Sequence, residues 1–423
     1  MKFVLASYGT RGDVEPCAAI GLELMRRGHD VRMAVAPDLV GFAESVGLAA
    51  VAYGPDARMW QDLHRDFLTH LTRNFWKIQD LIRLGRKDWE LFTQCWKEIS
   101  TTLTSLADGA DLLLTIVIGQ EPAANVAEYY NIPLAMLHTH PMRANGQMVP
   151  IVPAPLIRSA VTVYDWLGWR VVVKNIEDAQ RRELGLPKAR GLWSRRIAER
   201  RPLQIQAYDE VCFPGLAAEW AKWDGQRPFV GALTMELPAD ADEEVASWIA
   251  AGTPPIFFGF GSTAVKSPAD TVAMISAACA QLGERALVCS AETDISHVPH
   301  SDHVKVVGTM NYAAAFPACR AVVHHGGGGT TAAGLRAGVP QLILPTFLDQ
   351  MIWGTRVKRL KVGTARRFST VTHESLVADL RIILAPQYVA RAREIATRMT
   401  KPAESVTAAA DLLEAFARQR RAG

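Results

Sequence analysis

The sequence predicts an α/β protein built from two doubly wound domains, and three observations carry that expectation. The chain opens on a strand–helix–strand pattern: Lys2–Ser7 (KFVLAS), a helix to about Arg27, then Val31–Val35. A second such unit runs from Ala321 to Leu344, where the strand Ala321–Val323 passes through a glycine-rich turn into a helix opening at Thr330–Thr331, followed by the strand Gln341–Leu344. Finally, 423 residues with 49% hydrophobic content suffice for two separate cores.

The remaining elements follow from hydrophobic period and turn signals. Asp111–Val117, Gln120–Tyr130 and Ile132–Leu137 repeat strand, helix and strand, and Gln204–Ala207 adds a short strand. Ahead of these, Tyr53–Leu106 is helical in pattern and rich in aromatics: Trp60, Phe67, Phe75, Trp76, Trp89, Phe92 and Trp96. Helical spacing of Trp89, Phe92 and Trp96 favours core packing, while the excess of aromatics also suits a wide apolar pocket or a membrane-facing surface. Tyr164, Trp166 and Trp169 form a second aromatic cluster after the Pro-rich loop Met142–Pro155. The predicted division places the first domain at 1–215, a linker at 216–238 and the second domain at 239–401. That second domain takes the strands Pro255–Phe260, Ala286–Ser290, Val304–Val307 and Lys361–Phe368 with the helix Asp270–Leu282; Lys401–Pro402 marks a kink before a last helix, Val406–Arg418.

Bulk properties exclude several classes. A net charge of +3 with 21% charged residues demands no nucleic acid. The basic runs RRIAERR (Arg195–Arg201) and RQRR (Arg418–Arg421) read first as solvated faces and second as a phospholipid contact. Six scattered cysteines read as reduced core residues. With no signal peptide and no membrane-spanning run, the expectation is a cytoplasmic protein, peripheral to the inner membrane face at most, and a monomer or weak dimer.

Chemistry concentrates in AVVHHGGGGTTAAGLRAGVPQLILPTFLDQ. Four glycines remove every Cβ where strand becomes helix, so backbone N–H groups can converge on an anion at the helix start. His325 adds a donor and Thr330 and Thr331 add hydroxyls, making a diphosphate cradle; Asp349 and Gln350, after the next strand, suit sugar hydroxyls. In the first turn, YGTRGDVEP, the Gly9-x-x-Gly12 spacing lacks the G-x-G-x-x-G of dinucleotide binding. Asp13 there is a helix N-cap, a general base toward an acceptor hydroxyl, or both. His138 and His140 (LHTHP) are rivals for the base and candidates for the acceptor pocket with Trp76; Arg11 and Gly12 complete the turn beside donor or acceptor. Ser262, in the turn after Pro255–Phe260, can donate to a phosphate or cap a helix. The DxD of Asp240–Asp242 reads as a solvated helix start, and His297, His300 and His303 lack a ligand pattern, so no metal is expected.

The motif HHGGGGTT…AGVP…DQ, with YGTRGDVEP at the other end, resembles the nucleotide-sugar signature of GT-B-fold family 1 glycosyltransferases, in the bacterial antibiotic and sterol branch. Over both domains the chain is most similar to mycobacterial glycosyltransferases that decorate glycopeptidolipids. The resemblance implies two Rossmann-like domains facing across a cleft, with the C-terminal segment 402–423 crossing back to the first. It assigns the donor diphosphate to Ser262, His325, Gly328, Gly329 and Thr330, the donor sugar to Asp349 and Gln350, the nucleobase to the Val307–Asn311 loop, and the base to Asp13. The implied reaction is inverting and needs no cofactor or metal. Its donor is a hexose or 6-deoxyhexose (rhamnose or 6-deoxytalose type) on dTDP or UDP, and its acceptor is a lipid-like hydroxyl. A diffusible aglycone, a sugar-nucleotide epimerase and a non-catalytic sugar-nucleotide module are the alternatives. Ala333 stands where the plant branch has Glu, and Gly328 where it has Trp, so ribose and base contacts do not carry over from plants.

Overall fold

The structure, a computed structural model, describes residues 1–57, 59, 78–146, 154–190, 196–197, 199–223, 225–261, 267–290 and 301–421. These divide into two compact units.

The first unit comprises residues 1–207, 215–230 and 403–423. Its sheet has β1 (Lys2–Ser7), β2 (Asp30–Val35), β3 (Ala50–Ala52), β4 (Leu112–Thr115), β5 (Leu134–His138) and β6 (Leu203–Gln206), in the order β3-β2-β1-β4-β5-β6. Every pairing is parallel. β1, β4 and β5 read as nearly continuous apolar runs because helices cover both faces of a parallel sheet, whereas β6 (LQIQ) alternates apolar and polar residues. β3 escapes the sequence reading: it is three residues long, half exposed and lacks such a run. The aromatic segment yields the long helix Ile78–Leu106. Trp96 is buried in it and donates through Nε1 to Gln180 Oε1 at 3.0 Å, whereas Trp89 is exposed. Trp60, Phe67, Phe75 and Trp76 lie outside the described residues.

The last helix, Pro402–Arg421, belongs to this unit and begins at Pro402 itself, four residues before the predicted start. Proline fits a first helical position, where its missing N–H would have no partner. Ala409, Ala410, Leu413 and Ala417 are buried. Arg27 Nη1 donates to Asp411 Oδ1 at 2.6 Å, and His29 Nε2 lies 2.8 Å from Glu414 Oε1.

The second unit comprises residues 208–214 and 231–402. Its strands are β7 (Ile256–Gly259), β8 (Ala286–Cys289), β9 (Val304–Val307), β10 (Ala321–His324), β11 (Gln341–Ile343) and β12 (Gly363–Ala365), in the order β12-β11-β10-β7-β8-β9, all parallel. Counted within each unit, both sheets follow the order 3-2-1-4-5-6 of a doubly wound nucleotide-binding fold. Residues 208–214 group here, not with the first domain as the sequence suggests, because their side chains are anchored here. Asp209 accepts from Thr400 N (2.6 Å) and Ala232 N (3.3 Å), and Phe213 packs edge-on against Trp353 at 5.5 Å. The predicted linker 216–238 is partly helical, at Leu216–Trp220. Arg336 fastens its far end, donating to Ala232 O (2.6 Å), Thr234 Oγ1 (2.7 Å) and Thr400 O (2.8 Å).

All six cysteines are buried, as expected of core thiols. Among the described residues, no helix is long and apolar enough to cross a membrane.

Candidate active site

Open parallel sheets bind ligands at the carboxyl ends of the strands, where the strand order reverses. In the second unit that point lies between β7 and β10, whose ends pair Gly259 with His324. The glycine turn leaves β10 there. In the first unit the reversal lies between β1 and β4, and β1 leads directly into the turn before Asp13. Each candidate constellation therefore occupies the switch point of its own sheet.

At Gly326 and Gly327 the glycine turn is shaped by contacts that admit no side chain. Gly326 has φ +98°, and a Cβ on it would meet Ile343 Cγ2 at 2.7 Å and the Gln350 carbonyl oxygen at 3.0 Å. Gly327 is the N-cap, so the helix runs Gly328–Arg336 and opens two residues before Thr330. Its first N–H groups, of Gly328, Gly329 and Thr330, have no carbonyl one turn back to bond and carry the positive end of the helix dipole. Thr331 is not part of the cradle: it is fully buried and its hydroxyl donates to Gly327 O at 2.8 Å. Thr330 is partly exposed.

Two histidines precede the turn and differ in role. His324 is fully buried; its Nδ1 accepts from Gly326 N–H at 3.1 Å, so Nε2 carries the proton and donates to Gln341 Oε1 at 2.8 Å. Gln341 Nε2 in turn donates to Thr331 O at 3.2 Å. This chain locks the turn to the strand and the helix beside it. Burial pushes His324 down to about 3, with His325 adding to that and Gln341 opposing it. The His325 ring is wedged between glycines: Cβ atoms built on Gly261 and Gly327 would lie 2.8 Å from its Cε1 and 2.5 Å from its Nε2. Burial lowers its pKa, while Asp349 and the Gly259 backbone work the other way. Its Nδ1 is buried without a partner of hydrogen-bond geometry among the described residues.

Asp349 and Gln350 occupy the first turn of the helix Leu348–Leu360. Gln350 is buried, and its Oε1 accepts from Thr346 N (2.8 Å), Thr346 Oγ1 (3.0 Å) and Phe347 N (3.2 Å). Only its NH₂ can therefore serve a ligand, whereas the sequence reading gives it both donor and acceptor roles. Asp349 is partly exposed and near enough to His325 to favour a proton there.

Asp13 is not the N-cap. Thr10 is, and Asp13 is the third residue of the helix Arg11–Arg26. Thr10 N–H and Oγ1–H donate to Asp13 Oδ2 at 2.8 and 3.1 Å. A Cβ on Gly9, at φ +146°, would lie 2.3 Å from that oxygen. Asp13 is partly exposed, and its carboxylate is held at the sheet edge by this capping turn. Beside it Tyr53 is buried, with a hydroxyl that has no hydrogen-bond partner among the described residues. Burial, then Cys17, Cys95, Tyr8 and Asp13, raise its pKa well above the usual phenol value. Sequence reasoning missed Tyr53, His324 and Gln341, because a buried phenol and a His–Gln pair split across two strands carry no local motif.

Other candidates fall differently. Arg11 and Gly12 are exposed in the first helical turn, not a loop; Arg11 lies over the Phe42 ring at 4.7 Å. His138 ends β5 but is fully enclosed, and burial holds it well below the usual imidazole value, so it exposes no face for an acceptor. His140 is partly exposed. Val307 is a buried core residue, leaving only its backbone to offer. Asn311 caps the helix Tyr312–Ala315 with its own Oδ1 and donates its N–H to Asp242 Oδ1 at 2.8 Å. Asp242 also accepts from Ala239 N at 2.9 Å, which accounts for the DxD carboxylate as a helix-start group. Ser262 and Trp76, like His297 and His300, lie outside the described residues. Among the described residues no cluster of His, Cys, Asp or Glu is placed to hold a metal.

Comparison with known proteins gives the same two halves. Residues 3–140 match the glycosyltransferase family 28 N-terminal domain, and residues 273–414 match the erythromycin biosynthesis protein CIII-like C-terminal domain. An uncharacterised glycosyltransferase of Mycobacterium tuberculosis is 63% identical over 100% of both chains. A sterol 3-beta-glucosyltransferase of Arabidopsis thaliana is 27% identical, over 97% of this chain and 67% of that one. Among solved structures, the glycosyltransferase VinC in complex with dTDP matches with a TM-score of 0.65 at 19% identity, over 99% of this chain and 100% of that chain.

Proposed function

This chain belongs to the glycosyltransferases of GT-B fold that join a family 28 N-terminal domain to an erythromycin CIII-like C-terminal domain, and we propose that it is an inverting enzyme. It moves a hexose or 6-deoxyhexose, of rhamnose or 6-deoxytalose type, from a dTDP- or UDP-sugar to a hydroxyl of a lipid-like acceptor such as a glycopeptidolipid. The observation that carries the donor half is the open helix start Gly328–Thr330 at a sheet switch point, with His325 and Asp349 beside it. Its backbone N–H groups and dipole suit a diphosphate, and Ser262 is assigned to the same group. Asp349 would accept from a sugar hydroxyl and Gln350 NH₂ would donate to one. The backbone of Val307–Asn311 would face the nucleobase.

In the step itself, Asp13 takes the proton of the acceptor hydroxyl as its oxygen bonds to the anomeric carbon. The bond from that carbon to the diphosphate oxygen breaks, and the nucleoside diphosphate leaves with the electron pair. The N–H groups of Gly328–Thr330 and the His325 ring meet that growing charge, a task a preorganised helix start can perform without a divalent cation. VinC, solved with dTDP, supports a thymidine donor. The sterol glucosyltransferase and the erythromycin-type domain favour a second reading, in which the acceptor is a diffusible aglycone such as a sterol, macrolide or phenol.

A thermal-shift screen tests the donor half. Saturating dTDP or UDP, at about a hundred times Kd, should stabilise the folded chain by about 2.7 kcal/mol. If neither raises the melting temperature, the diphosphate cradle is misassigned. Turnover with a lipopeptide against small phenols then separates the two acceptor readings.

A further inference from the structure

The helix Ala154–Gly168 continues into the π-helical turn Trp169–Val173 and carries two apolar faces. One faces inward: Ile157 and Trp169 are buried, and Trp169 Nε1 donates to Glu177 Oε2 at 2.8 Å. The other faces water. Leu156 is 60% exposed, Val163 55%, Leu167 49% and Val171 71%, at steps of seven, four and four residues that align them along one side of the rod. Trp166 and Val172 flank that stripe and are also exposed. A solvated helix face is normally polar; a contiguous apolar one marks a contact surface.

The charge around it narrows the occupant. Residues 154–201 contain eleven Lys and Arg against five Asp and Glu, a net +6, in a chain whose total is +3. The rest of the chain is therefore net negative. Two of these cations turn inward, Arg181 to Glu128 and Arg196 to Glu177. Arg170, Arg182, Lys188, Arg190 and Arg201 are exposed. A two-fold contact with a second copy would bring this positive region against itself. Anionic headgroups over an acyl layer complement both the stripe and its flank.

We propose that this face seats the protein on an anionic lipid bilayer. Leu156, Val163, Leu167 and Val171 enter the headgroup–acyl boundary, and the basic flank meets the phosphates. The contact is independent of the assignments of donor, acceptor and base.

The full chain should cosediment with phosphatidylcholine vesicles containing about a third phosphatidylglycerol, far less with pure phosphatidylcholine, and be released by added salt. The double variant Leu167→Glu, Val171→Glu changes exposed positions only and should lower partitioning about tenfold with an unchanged melting temperature. As a second readout, Val171→Cys can be labelled selectively with an environment-sensitive dye because all six native thiols are buried. Its emission should shift to the blue on anionic vesicles. The proposal is overturned if the chain ignores anionic vesicles, if the folded double variant binds as well as wild type, or if the dye stays in water when the protein cosediments. It is equally overturned if the stripe instead supports a dimer that the double variant dissolves.

Discussion

Asp13 holds the start of its own helix and is also the proposed base, and one substitution separates the two roles. Asn keeps an oxygen that accepts from Thr10 N–H and Oγ1–H, so Asp13→Asn should cost less than about 1 kcal/mol of stability. It cannot take a proton, so transfer should fall by about 10²–10⁴-fold. Turnover of the folded variant within a few-fold of wild type would leave Asp13 with a structural role alone. His324 supplies a second prediction at this scale. Burial holds it neutral in the folded chain down to about pH 3, whereas the unfolded chain takes up that proton near the ordinary imidazole value. The folded pKa lies below the unfolded one and the group is a base, so stability is complete above about pH 6.5 and is lost as pH falls toward the folded value. The slope should approach about 1.4 kcal/mol per pH unit for each such group, and His138, also held neutral by burial, adds a second. Urea unfolding across that range measures it; stability that rises on acidification contradicts the assignment.

At the scale of elements, the glycine helix gives a test in which stability and function move in opposite directions. Gly329 lies inside the first helical turn, and among the described residues a Cβ there would find only Thr234 Cγ2, at 3.8 Å. Gly329→Ala should therefore leave the fold intact or stabilise it by up to about 1 kcal/mol through helix propensity. The added methyl would stand where a diphosphate approaches, so nucleotide binding measured by calorimetry should weaken. Unchanged affinity would move the anion away from this turn. Buried parallel strands such as β4 and β10 are legible because both faces are covered and the apolar run is unbroken. β3 is not, being short and half exposed. The glycine turn reads as an anion cradle, but its helix start is misplaced at Thr330, because glycines signal a break even where N1 and N2 need no partner for their N–H. The second capacity of Gln350 is likewise hidden: its side-chain oxygen is taken by Thr346 and Phe347, four and three residues back.

At the scale of the whole molecule, the same strand order occurs twice, and each half of the proposed chemistry stands at the reversal of one sheet. The first unit is discontinuous in sequence, since its residues 403–423 follow the entire second unit. Leu413 is fully buried there, so Leu413→Ala should destabilise the first unit by about 2–5 kcal/mol. Denaturation followed by hydrogen exchange should show the loss in β1 and β2 and spare β7–β11; an effect confined to the second unit would refute the grouping.

That discontinuity reaches back to the ribosome. Nascent chains fold domain by domain from the N-terminus, yet here the first sheet must wait, with the bed for Leu413 uncovered, until the second unit has been translated. The later-made unit, whose residues are complete by 402, is free to mature first. A premature stop anywhere in the final helix would thus harm the oldest part of the chain.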